Sequence, residues 1–150
     1  MTGRIYHVGL TVTDLDRSVR FYRDVLGLRF LGELLMEGPE TEALFRKKGC
    51  RARVAYLEGS GDAGRPPVEL IQFLGGETAK RPADLFTTSV SELCFETDDI
   101  ETLYRRLREQ GTECLSEPQD FDFTASGFGK SRAFYFRDPD GIILEAMQPL

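Results

Sequence analysis

Residues 5–28 read IYHVGLTVTDLDRSVRFYRDVLGL, and residues 90–115 read VSELCFETDDIETLYRRLREQGTECL. The first stretch opens by alternation. Ile5, His7, Gly9 and Thr11 fall on one side, and Tyr6, Val8, Leu10 and Val12 on the other. Period two with β-branched residues predicts a half-buried strand. Asp14 then stands where a helix N-cap belongs, without the acid of a capping box three residues on. Leu15, Val19, Tyr22, Val25 and Leu26 form one apolar face of a helix over about 15–26, and Gly27 is its expected stop. The second stretch repeats the pattern: an alternating strand, an acidic cap at Asp98 or Asp99, an amphipathic helix and a stop at Gly111.

The repeat extends beyond these stretches. LRFLGELLME, RARVAYLE and PVELIQFL read as three strands after the first helix, with EGSGDAGRPP as a turn-rich loop between the last two. SRAFYFRD and GIILEAMQ follow the second helix, joined through DPDG, a strong hairpin signal. An offset of 85 residues places Asp14 on Asp99, Leu15 on Ile100 and His7 on Glu92, and an offset of 76 places Glu69 on Glu145. A repeat of this kind sets the whole fold. The sequence therefore predicts an α+β protein, one domain over residues 1–150 built of two tandem βαβββ modules, about 3–76 and about 88–150.

Composition narrows the function. A length of 150 residues with 41% hydrophobic residues and eleven phenylalanines suffices for a sizeable core. The formal net charge is −6 and no stretch is dense in Lys and Arg, which speaks against nucleic acid and anionic membranes as partners. No apolar run approaches the roughly 20 residues of a membrane span, and MTGRIYHVG enters a strand with no signal-peptide core. Cys50, Cys94 and Cys114 are odd in number and lack CxxC spacing. They read as free thiols of a reducing compartment, and the expected location is the cytoplasm.

Two acids sit where an apolar strand should not hold them. Glu69 stands between Val68 and Leu70, and Glu145 between Leu144 and Ala146. A carboxylate desolvated without a partner costs several kcal/mol. Alternation resolves the conflict if one sheet face packs on helices and the other lines a wet cleft. The same parity sends His7, the chain's single histidine, and Glu92 to the cleft face. Carboxylates gathered there need a positive charge among them. A divalent cation would serve, and so would Arg53 or Arg132. One nitrogen and three oxygen donors suit Mn, Ni, Co, Fe or Zn.

With these residues in view, the chain resembles the vicinal oxygen chelate superfamily, which includes glyoxalase I, methylmalonyl-CoA epimerase, extradiol dioxygenases and bleomycin- and fosfomycin-resistance proteins. The resemblance rests on HVGLTVTDLDRSVRFYRDVLGL, VELIQF, SELCFETDDIETLYRRLREQG and YFRDPDGIILEAMQP. It implies two modules closing into an incomplete barrel around one metal site, and a homodimer. It also implies that His7, Glu69 and Glu145 are ligands, with Glu92 where metal enzymes of the family often have a second histidine. One histidine in the chain speaks against an extradiol dioxygenase.

The chemistry the resemblance implies is metal-dependent epimerisation or isomerisation of a small hydroxyketone through a metal-stabilised enediolate, with Glu145 and Glu92 as the acid/base pair. The general look is nearest small members that epimerise carbohydrate-derived ketones such as 2-epi-5-epi-valiolone. The alternatives are a glyoxalase-type lyase and a non-enzymatic antibiotic-binding protein. Arg53, Lys130 and Arg132 are the candidates for contacting the substrate. Residues 116–130 offer a lid, and residues 36–50 a cover for the far end of the cleft.

Overall fold

The computed structural model describes residues 3–59, 66–81 and 83–150. Most of the turn-rich loop read over residues 58–67 lies outside them. The chain divides into two compact units between Lys80 and Arg81. The first runs β1 (Val8–Thr11), α1 (Leu15–Arg20), β2 (Arg29–Met36), α2 (Pro39–Phe45), β3 (Arg51–Glu58) and β4 (Val68–Leu74). The second runs β5 (Leu93–Glu96), α3 (Ile100–Glu109), β6 (Gln119–Asp122), β7 (Lys130–Arg137) and β8 (Ile143–Pro149).

Each unit holds one four-stranded sheet, ordered β1-β4-β3-β2 in the first and β5-β8-β7-β6 in the second. β1 lies parallel to β4 and β5 parallel to β8, while the other pairs are antiparallel. A parallel pair needs a long crossover, and the helix with the next two strands supplies it. The fold is thus the α+β class that the repeat predicts.

The offsets seen in the sequence recur in the hydrogen bonds. Asp14 accepts from the Arg17 N–H at 3.0 Å, and Asp99 accepts from the Thr102 N–H at 3.0 Å. Each cap is worth about 1 kcal/mol. The side-chain carbonyl of Gln72 in β4 accepts from the Leu15 N–H at 3.1 Å, and that of Gln148 in β8 from the Ile100 N–H at 3.0 Å. In each unit the closing strand is tied to the helix entrance by one glutamine. Gln72 also donates to the Thr13 carbonyl.

Leu15, Tyr22, Leu57 and Leu70 are fully buried in the first unit, and Leu107, Phe136, Leu144 and Ala146 in the second. A large apolar side chain so placed stabilises by roughly 1.5–3 kcal/mol as an upper figure. The apolar stripe read over residues 15–26 is covered by α1 and a π-type turn at Phe21–Val25. That turn brings adjacent Phe21 and Tyr22 both inward, which a regular α-helix would not favour.

Two segments read from the sequence only as a lid and a cover carry secondary structure of their own. Residues 116–130 contain an edge strand, β6, paired with β7, and a tight return through Thr124–Ser126. β6 has no internal apolar alternation, because it is exposed at every position and its strand form comes from pairing alone. Residues 36–50 hold α2, from which Phe45 packs edge-on against Phe73 with ring centres 5.0 Å apart. Phe73 shares its sheet face with Glu69, so α2 covers one end of that face. At DPDG, Asp138 Oδ1 accepts from the N–H groups of Asp140 and Ile142, each at 2.8 Å, and Gly141 takes a φ of 84°. Among the described residues no helix is long and apolar enough to cross a membrane.

Candidate functional site

In the first unit, β1 and β4 pair so that Gly9 stands beside Glu69, while β3 and β4 pair so that Tyr56 stands across from it. His7, two residues before Gly9, projects to the same face. Three side chains meet there. The Tyr56 hydroxyl donates to Glu69 Oε1 at 2.5 Å, and Glu69 Oε2 lies 3.4 Å from His7 Nε2. Glu69 is 8% exposed, whereas the His7 side chain is 38% exposed. Burial first, then the carboxylate of Glu69, pushes the Tyr56 phenol up to about 12. It therefore stays a donor at every working pH, and fixes which carboxylate oxygen is free.

Gly9 makes this arrangement fit. A Cβ at position 9 would lie 3.2 Å from Glu69 Oε2 and 3.6 Å from Ile71 Cδ1. The missing side chain leaves the oxygen open toward His7.

The second unit builds the same register with other side chains. Cys94 stands beside Glu145, and Tyr135 stands across from it. Cys94 is an exposed residue, and its thiol is pushed up to about 12 by partial desolvation first, then by the charge of Glu145, with Glu92 and Glu96 adding. Tyr135 is raised by burial first and then by Glu145, Glu92 and Cys94. Glu92 accepts from the Ser91 hydroxyl. Among the described residues neither Glu92 nor Glu145 has a cationic partner.

The cations named in the sequence analysis are engaged elsewhere. Arg53 reaches Asp16 of α1 at 2.8 Å and Glu33 of β2 at 2.7 Å. Arg132 reaches Glu101 of α3 at 2.7 Å and Asp120 of β6 at 3.3 Å. These are corresponding clamps in the two copies. Each arginine is three residues before the cleft-face tyrosine and so points to the helix-covered face. Lys130 pairs with Asp122 at 3.3 Å. Arg53 and Arg132 therefore do not neutralise the cleft-face carboxylates.

His7 and Glu69 fit two neighbouring positions on a divalent ion. Donors bound at about 2.0–2.2 Å lie about 3–3.5 Å apart when adjacent, and the observed separation is 3.4 Å. A carboxylate held by a tyrosine on its other oxygen is a common outer-shell device. Among the described residues no three or more His, Cys, Asp or Glu side chains are gathered closely enough to hold a metal. Tyr56, Gly9 and Tyr135 were not singled out from the sequence. The signal was present, since Tyr56 and Tyr135 occupy the same place in the repeated VAYLE and AFYFR strands.

The model of the Glyoxalase/Bleomycin resistance protein/Dioxygenase superfamily matches residues 4–146. The chain belongs to that superfamily. A lactoylglutathione lyase from Haemophilus influenzae is 29% identical, covering 97% of this chain and 92% of that protein. A 2-epi-5-epi-valiolone epimerase from an Actinomyces species is 26% identical, covering 97% and 82%. A glyoxalase-family protein from Bacillus cereus shares the fold with a TM-score of 0.86 at 22% identity, over 100% of this chain and 96% of that one. The superfamily thus spans lyase and epimerase relatives of this chain.

Proposed function

We propose that this superfamily member is a divalent-metal-dependent epimerase or isomerase acting on a small hydroxyketone. A sugar-derived cyclitol such as 2-epi-5-epi-valiolone is one substrate of that class. The observation that carries the reading is the Glu69 carboxylate, held by Tyr56 on one oxygen and facing His7 Nε2 with the other. In this reading His7 and Glu69 are ligands, and Glu145 and Glu92 complete the donor set. The ion would be Mn, Zn, Ni, Co or Fe, and when bound it supplies Lewis acidity that polarises the substrate carbonyl and acidifies the adjacent C–H.

The remaining work belongs to the chain. Tyr56 orients the Glu69 carboxylate. Glu145 takes the proton from the carbon beside the carbonyl, and Glu92 is the second acid/base. Proton return to the opposite face of that carbon gives the epimer, and return to the neighbouring carbon gives the isomer. Neither carboxylate has a cationic partner within the second unit, which leaves both available for a metal and a proton. The reading includes a homodimer in the cytoplasm.

The test is NMR of 2-hydroxyketones and ketocyclitols in heavy water with the purified protein. Metal-dependent exchange of the C–H beside the carbonyl is the expected result, and no exchange across that set rejects it. A second reading, glyoxalase-type lyase, is supported by the Haemophilus influenzae relative. Conversion of methylglyoxal and glutathione to lactoylglutathione, without hydroxyketone exchange, would put that reading in place of the first. Tight binding of an antibiotic by metal-free protein, with neither reaction, would support a resistance role.

A further inference from the structure

A cleft of about 770 Å³ opens on the first unit beside Tyr56, within the size range of small-molecule sites. Its origin lies in the pairing of β2 with β3. Gly32 stands opposite Tyr56, so no side chain covers that part of the sheet face. The register shifts between Phe30 and Gly32, and Gly32 takes a φ of 150°, which side-chain-bearing residues rarely adopt. The opening is thus fixed by the backbone.

The walls are apolar and aromatic: Tyr6, Leu31, Leu34, Pro67 and the Tyr56 ring. Leu34 is 46% exposed and Tyr6 73% exposed, so large apolar area stays open to solvent there. Three charged residues line the cleft: Arg4, Glu58 and Glu33, whose side chain turns to the opposite sheet face. Glu33 is held by Arg53, and Glu58 by Arg29. Arg4 has no ion pair among the described residues. The net unanswered charge of the cleft is therefore positive. Tyr56 is shared: its ring lines the cleft and its hydroxyl grips Glu69.

We propose that this cleft is a substrate subsite that takes a flat apolar group bearing an anionic substituent, such as an aryl carboxylate. The reactive hydroxyketone end then lies toward Tyr56, Glu69 and His7. Apolar walls bury the ring, and Arg4 meets the carboxylate. The inference rests on the function proposed above for the location of the reacting end, and it adds to that substrate class hydroxyketones that carry an aryl carboxylate.

The experiment separates the subsite from the chemistry. The isotope-labelled full chain, without added metal, is titrated with 4-ethylbenzoate, which has no hydroxyketone, and with dihydroxyacetone, which has no ring. Shifts of the Tyr6, Gly32, Leu34 and Tyr56 amides with 4-ethylbenzoate are expected. Leu34→Asp should weaken that binding about ten-fold. Leu34→Trp, which fills the cleft while staying apolar, should weaken it as well and covers a folding defect of the first variant. Arg4→Ala should weaken 4-ethylbenzoate about three-fold and leave 4-ethylbenzyl alcohol unchanged.

Absence of shifts at these four amides overturns the subsite, as does binding that survives both Leu34 variants. A dimer that Leu34→Asp dissociates, with no ligand effect at the cleft, also overturns it by assigning the face to a second copy of the chain. If 4-ethylbenzoate maps to the cleft while no hydroxyketone exchanges its C–H, the subsite stands and the proposed reaction falls. If 4-(hydroxyacetyl)benzoate exchanges faster than dihydroxyacetone, both stand.

Discussion

The two units share one backbone register and hold their central glutamates differently. In the first, Gly9 stands beside Glu69, and the carboxylate is gripped from the opposite side by Tyr56. In the second, Cys94 stands beside Glu145, and Tyr135 stands across from it. The Tyr135 phenol is raised by burial first and then by the charges of Glu145 and Glu92, without a hydrogen bond to either. Glycine beside one carboxylate and cysteine beside the other mark the difference at this register position. The first glutamate is fixed with an oxygen open to histidine, which suits a ligand. The second has a thiol beside it and no cationic partner among the described residues.

That contrast can be broken most severely at the chemistry itself. Glu145→Gln is expected to slow metal-dependent C–H exchange by about 10²–10⁴-fold, measured by NMR in heavy water. His7→Ala should lose the metal outright, read by elemental analysis after gel filtration. Next comes Gly9→Cys, which gives the first unit the second unit's residue. Its side chain enters the space beside Glu69 Oε2, where a Cβ alone would come to 3.2 Å. Metal affinity should fall about 10–100-fold, the range for a disturbed outer shell, as measured by competition with a chelator.

The tyrosines offer a finer comparison. Tyr56→Phe removes a hydrogen bond to a carboxylate and should cost about 1.5–3 kcal/mol in urea unfolding. Tyr135→Phe removes a hydroxyl with no such bond and should cost less than about 0.5 kcal/mol. Equal losses would show that the two glutamates are held alike.

The smallest effects are expected at the clamps. Arg53→Ala and Arg132→Ala each break two partly exposed ion pairs and should cost about 0.2–1 kcal/mol apiece, similar in the two units. Their pH dependence has a definite sign. Arg53 holds the Asp16 carboxyl below its ordinary value of 3.8. The stabilisation from Asp16 is complete above that value and fades as pH falls through the lower folded one. Asp16→Asn should therefore be less stable than the parent at pH 6, and the difference should shrink below about pH 4.

Much of this was legible in the chain itself. Asp14 and Asp99, Gly27 and Gly111 mark helix limits through local backbone chemistry, which needs no distant partner. Glu69 and Glu145 announced a polar sheet face because a lone acid in an apolar strand conflicts with its neighbours. β6 was not legible, since its four exposed residues carry no apolar alternation. Arg53 and Arg132 were misplaced because a cation near an acid in composition need not share its face, and their three-residue spacing from the tyrosines puts them on the other side.

Sequence by itself determined the duplicated βαβββ frame and, within each unit, the parity that puts His7 on the face of Glu69 and Glu92 on that of Glu145, because strand period and helix caps are set by residues within a few positions. Only the tertiary structure decided which oxygen of Glu69 is free, which residues flank Glu145, and that Gly32 opens a cleft beside Tyr56. Those outcomes depend on which side chains neighbouring strands bring opposite one another, and strand pairing joins residues far apart in the chain.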